Sequence, residues 1–225
     1  MRVDRRQFLG LLAATGGGTA LLAGTGPRPA SADQVLDVQL MQTAASVENL
    51  LVDTYSALLA LPLFTAAAAN PVLKALVTTA RDQHGDHARA CNDIATTLGG
   101  QAQTGLNGPL SAVVAQAAGG LAEMAGAVSM ALRLETASMQ THQNAVALMT
   151  DVNARRLAAM IMAIEAQHVA VLRVGEGLAT ARSVELLSLA TGAADLLPPG
   201  AGVAGVPDPF SRLDQARPPA EGAVP

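Results

Sequence analysis

Two short polar patterns recur in the same order along a chain that is otherwise largely apolar. Glu48 is followed by His84-Gly-Asp-His87, and Glu135 is followed by Glu165-Ala-Gln-His168. Each set supplies one carboxylate from one segment and a ligand-x-x-His pair from the next. Residues three apart lie on one side of a helix, so each pair forms a two-pronged ligand. Tyr55 and His142 follow Glu48 and Glu135 by seven residues. Seven residues bring a helical side chain back to within about 20° of the starting direction, so each shares a face with its carboxylate. The template is satisfied when four helices stand side by side with these faces turned inward.

Four segments read as those helices. The first spans about residues 35–61 and stops before Pro62, and the second runs from Pro71, well placed in a first helical turn, to residue 98 before Gly99-Gly100. The third covers about 120–149, and the fourth runs to about 175 from an N-cap at Asp151. Ala, Leu, Met, Gln and Arg, all strong helix formers, dominate them. Aromatic residues are only 2% of the chain, and no period-two alternation marks a strand. The first two helices are joined by about nine residues and the last two by a tight turn at Thr150, so each pair is an antiparallel hairpin. About twenty residues between them leave room for a short crossover helix at 109–117. The expectation is an all-α four-helix bundle of two antiparallel hairpins joined by a long crossover.

The fourth segment is apolar almost all round, with Leu157-Ala-Ala-Met-Ile-Met-Ala-Ile164 before Glu165 and Val169-Ala-Val-Leu172 after His168. Such a helix is buried, and a carboxylate buried without a partner is costly. Glu48 sits in similar company, among Ala44, Ala45, Val47, Leu50 and Leu51. A shared cation would compensate these charges, with Glu48, His84, His87, Glu135, Glu165 and His168 as its ligands. Tyr55 and His142 would support them from behind. A second reading stays open: Arg133, Arg155 or Arg156 could neutralise the acids without metal.

Longer stretches carry a resemblance. Ile161 to Arg173, containing Glu165-Ala-Gln-His168, is similar to the last helix of the bacterial ferritin-like domain proteins. Leu134-Glu135-Thr-Ala137 resembles their third helix, and Val47-Glu48 with Asp53 and Tyr55 their first. Arg81-Asp-Gln-His84-Gly-Asp-His87, ending at Leu98-Gly-Gly100, resembles their second helix and its exit. The likeness covers about 35–175 and implies a ferritin-like four-helix bundle, in which inward carboxylates and Glu-x-x-His pairs hold iron or manganese. At one position the chain departs from the pattern: His84 stands where the family has Glu. A bridging carboxylate is thereby replaced by a neutral single-metal ligand, in a set of three Glu and three His that should hold Fe(III) less well. Either one metal or a less oxidised pair is bound, or the site has decayed.

The ends of the chain read differently. Residues 1–32 have the form of an export signal: a basic start, a glycine-diluted apolar stretch, and Ala30-Ser31-Ala32 as a cleavage site, with the cut after Ala32. Asp4-Arg5-Arg6-Gln7-Phe8-Leu9 resembles the twin-arginine (Tat) pattern, with Arg5 and Arg6 as its pair. Removing 32 of 225 residues leaves 193, enough for one domain, and takes away four of 14 basic and one of 18 acidic residues. The resulting net charge of −7 is the wrong sign for a nucleic-acid partner. No further uninterrupted apolar run reaches the ~18 residues of a membrane span. Cys91, the single cysteine, cannot form an internal disulfide, which leaves a buried thiol or a linked dimer. Residues 181–225 form a Pro/Gly-rich tail, expected to be largely disordered or laid over the bundle by Phe210 and Leu213.

The expected function is that of an exported ferritin-like protein of the periplasm, cell envelope or surroundings. It would bind iron or manganese, as one ion or a pair, with a redox role, and no enzyme activity is assigned. The alternative is a metal-free structural or interaction module of the cell envelope with a degenerate site. Oligomers are compatible with the sequence, and a storage cage is not indicated.

Overall fold

The computed structural model describes residues 30–67, 69–180 and 213–224. Residues 32–225 form one compact unit, and its regular structure, among the described residues, is entirely helical. In chain order the elements are α1 (Ala32–Leu59), α2 (Pro62–Thr65), α3 (Pro71–Thr97), α4 (Gly108–Ala117), α5 (Met124–Leu148) and α6 (Val152–Thr180). A 3₁₀ turn, Ala118–Gly120, follows α4. The twin-arginine motif lies outside the described residues, and the expected cut after Ala32 falls at the first residue of α1.

The long helices pair as the sequence predicts. Helices α1 and α3 pack as one hairpin and α5 and α6 as the other, with α1 against α5 the main contact between them. Helix α3 touches α6 far less. The helix ends follow local chemistry. Asn70 Oδ1 accepts from the backbone N–H groups of Val72 and Leu73 at 2.9 and 3.2 Å, with Pro71 in the first turn. At the other end of α3, Gly99 takes φ 88°, and the N–H groups of Gly100 and Gly99 bond the carbonyls of Ala95 and Thr96. A Cβ on Gly100 would lie 2.3 Å from Cγ1 of Val38, so this exit also lets α3 close onto α1. Asp151 caps α6 through the N–H groups of Asn153 and Ala154.

Some boundaries differ from expectation. Helix α5 begins at Met124 rather than near 120, because the Gly120 carbonyl lies over Gly126; a Cβ there would be 2.2 Å away. Helix α6 continues past Gly175 to Thr180, since that glycine is helical, buried and merely packed near Val128. Its stretch Val152–Leu178 is long and apolar enough to cross a membrane, with mean hydropathy 1.5. No uninterrupted apolar run of span length is involved: after Arg156, Glu165 and Arg173 are charged before Gly175, and a hydropathy average absorbs both.

Buried polar pins fix the register of the hairpins. Asp37, at 1% exposure, accepts from the N–H and hydroxyl of Thr150 at 3.0 Å each and from the N–H of Asp151 at 2.8 Å. It thereby clamps the α5–α6 turn to α1. Asn107 caps α4 and donates to Ser46 of α1 through both its backbone and its side-chain amide. Of the tail, residues 213–224 are described and lie against α1 and α5. Gln140 and Thr141 accept from the N–H groups of Gln215 and Arg217, and Thr43 and Gln42 from those of Gly222 and Val224. Leu213 remains exposed, so backbone hydrogen bonding rather than that side chain seats the strap. Phe210 lies outside the described residues.

Candidate metal centre

The four long helices each deliver part of one buried cluster. Glu48 comes from α1, His84 and His87 from α3, Glu135 from α5, and Glu165 and His168 from α6. The three carboxylates and His84 are fully buried, while the side chains of His87 and His168 are 12% and 15% exposed. Ligand atoms of Glu48, His84, His87 and Glu165 lie within 4.8 Å of one another, and the same holds for His84, Glu135, Glu165 and His168. The six residues predicted from the sequence are thus brought together, as two overlapping groups.

His84 sits at the join. Its Nδ1 is 2.7 Å from Glu48 Oε2 and its Nε2 is 3.0 Å from Glu135 Oε1. Its ring stands between the two half-sites, one nitrogen toward each. That follows from its seat at the centre of the bundle, stacked on Tyr55 with ring centroids 5.5 Å apart. His87 Nδ1 approaches Glu165 Oε1 to 2.8 Å and Glu48 Oε2 to 3.5 Å. His168 Nδ1 lies 3.3 Å from Glu135 Oε2 and 3.6 Å from Glu165 Oε2.

A supporting layer holds the carboxylates. His142, also fully buried, places Nε2 2.9 Å from Glu48 Oε1, and the Ser138 hydroxyl donates to the same oxygen at 2.7 Å. The Tyr55 hydroxyl donates to Glu135 Oε1. On the outer side of His168, Nε2 donates to Gln83 Oε1 at 2.8 Å. That bond leaves Nδ1 free to face the carboxylates, the arrangement by which metal-binding histidines are oriented. Tyr55 and His142 occupy the supporting positions the sequence indicates. Ser138 and Gln83 were missed: each works across a helix interface, 90 and 85 residues from its partner.

The charges are strongly coupled. Burial alone would raise the Glu48 carboxyl, but hydrogen bonds from His142 and His84 hold it well below the usual range. Glu135 is likewise depressed against its burial, chiefly by His84 and His168. Glu165 goes the other way, raised by burial and by the neighbouring Glu48 and Glu135. Burial opposes charge on the histidines, yet the carboxylates outweigh it: His84 rises well above its ordinary value, and His87 and His168 are each raised to about 9.

This donor set fits a cation. Both carboxylate oxygens of Glu165 and Nδ1 of His87 are buried without a properly aligned hydrogen bond, although the two groups stand 2.8 Å apart. Buried polar atoms are rarely left so, and their convergence within a cluster of further carboxylates and imidazoles matches the surroundings of an ion. Imidazole and carboxylate together suit divalent first-row metals. The arginines that could have neutralised the acids are engaged elsewhere or exposed: Arg155 donates to the Met149 carbonyl, and Arg133 and Arg156 face solvent. Asp82 and Asp86 pair with Arg81 and Arg89, leaving both α3 histidines to the interior. Cys91 is a free, buried thiol, pushed up by burial and by Glu48 and Glu165.

Residues 36–176 match the family model of the ferritin-like domain. Neither the curated proteins nor the solved structures give a match.

Proposed function

The chain belongs to the ferritin-like domain family, and we propose that it is an exported metalloprotein that binds iron or manganese between its two half-sites and serves a redox role. The observation that carries this reading is Glu165, whose two buried oxygens lack a properly aligned hydrogen bond while facing His87, His84 and His168. Glu48, His84, His87 and Glu165 would hold one ion, and His84, Glu135, Glu165 and His168 another. These residues would hold an ion whose chemistry, when bound, would be one-electron exchange. The protein orients what surrounds it: His142 and Ser138 fix Glu48, Tyr55 fixes Glu135, and Gln83 fixes the ring of His168. Tyr55, raised well above its ordinary value by burial and by Glu135, keeps its proton and donates it in that hydrogen bond. The export part rests on Arg5-Arg6 and the small-residue cleavage site. The twin-arginine route transports folded proteins, which suits a site assembled from four helices.

A second reading has its own support. His84 contacts Glu48 and Glu135 through both ring nitrogens, so a protonated ring would neutralise buried carboxylates without an ion. That reading gives a metal-free structural module of the cell envelope. Crystals of protein loaded with Mn(II) or Fe(II) separate the two. Anomalous scattering should place metal among Glu48, His84, His87, Glu135, Glu165 and His168, and density for metal only elsewhere favours the module.

A further inference from the structure

Where α3 and α6 pack less closely than the other neighbouring long helices, the bundle keeps a cavity of about 280 Å³ between them. Its walls are apolar, including Leu76 and Ala80 of α3 and Val171 and Leu172 of α6. Tyr55, Gln83 and His168 also line it, and these are the residues that join it to the carboxylate cluster. Val171 is 44% exposed, so a large apolar side chain stands at the mouth.

We propose that this cavity binds a small, mainly apolar molecule of about one substituted ring, with a single hydrogen-bonding group turned toward Gln83 and Tyr55. Size is the first argument. An apolar cavity of about 150 Å³ holds benzene, so roughly twice that volume takes a ring with a short substituent and excludes a polymer. The second argument is the lining, since apolar walls with a few convergent polar groups are the pattern of small-molecule sites. Gln83 supplies a handle: its Oε1 is occupied by His168, and among the described residues its amide nitrogen has no hydrogen-bond partner. The third argument is continuity. Tyr55 contributes to the cavity wall while its hydroxyl bonds Glu135, and His168 lines the cavity while Nδ1 faces the carboxylates. An occupant therefore lies one side chain from the cluster. That it is the substrate of the site rests on the metalloprotein reading; that it binds does not.

Titration of the folded protein with 4-ethylphenol, followed by NMR and calorimetry with and without Mn(II), tests this. The expected result is saturable binding with shifts centred on Tyr55 and His168. Val171→Trp should weaken it at least tenfold by filling the exposed mouth, without altering helicity or metal content. Gln83→Leu should weaken 4-ethylphenol more than ethylbenzene. No saturable binding, or equal affinity in wild type and Val171→Trp, overturns the proposal. Metal content is measured on the same samples: binding without metal retention leaves the cavity standing and removes its link to metal chemistry, whereas metal retention without binding removes the cavity alone.

Discussion

Nδ1 of His84 lies 2.7 Å from Oε2 of Glu48, with both side chains fully buried. Nε2 of the same ring is 3.0 Å from Glu135, so one imidazole separates carboxylates contributed by two different hairpins. His84 is thus the electrostatic keystone of the metal-free bundle.

Replacing it with a carboxylate exposes that role. His84→Glu would bring a fourth buried carboxylate against Glu48, Glu135 and Glu165. Removing one partner of a buried pair costs about 3–5 kcal/mol, so the metal-free variant should melt far below the wild type. Added Fe(II) or Mn(II) should restore most of that loss. Thermal melts with and without metal check this, and a metal-free variant as stable as wild type would contradict it.

The layer behind Glu48 should matter for affinity. His142→Ala and Ser138→Ala each remove a hydrogen bond to Glu48 Oε1 and leave the six proposed ligands in place. Loss of such supporting partners weakens metal binding by about 10–100-fold. Competition against a metal-sensitive dye measures the change; unaltered affinity in both variants would show that Glu48 needs no orienting.

The histidines give the metal-free protein a definite pH response. His87 and His168 hold protons up to about pH 9 in the fold, against about 6.5 in an unfolded chain. Their contribution is therefore fully present below about pH 6.5 and lost as pH rises through 9. Metal displaces those protons, so its affinity climbs across the same interval. The metal-free melting temperature should fall between pH 6.5 and 9.5 while the increment from added Mn(II) grows. A metal-free melting temperature flat across that range would count against the account.

Much of this was legible in the sequence because helix period and ligand spacing are local. The order of Glu48, His84, His87, Glu135, Glu165 and His168 fixed which faces must converge, and Pro71, Gly99 and Asp151 marked helix ends. Interactions between distant segments were not legible. Nothing near Gln83 or Ser138 identifies them as partners of His168 and Glu48, since the contact exists only once α3 meets α6 and α5 meets α1. That the tail could lie over the bundle was legible, but the acceptors that seat residues 213–224, on Gln42, Thr43, Gln140 and Thr141, were not.

The strap's seat is set by one glycine. A Cβ on Gly222 would lie 2.6 Å from Ser46 Oγ and 2.7 Å from Thr43 Cα, and the α1 backbone cannot yield. Gly222→Ala should lift this end of the strap, so that the amides of Gly222 and Val224 exchange faster with solvent. The amides of α3 should keep their protection. Hydrogen exchange read by mass spectrometry resolves the two regions, and unchanged exchange at 222–224 would mean the contact is not tight.

The central claim is that three glutamates and three histidines on four helices hold metal. Its most direct test is the metal retained per chain after loading with Fe(II) or Mn(II) and desalting, compared between wild type and Glu165→Ala. Glu165 belongs to both ligand groups, so its loss should reduce one to two equivalents to near zero while the bundle stays helical. Equal retention in the two proteins, or none in either, would contradict the claim.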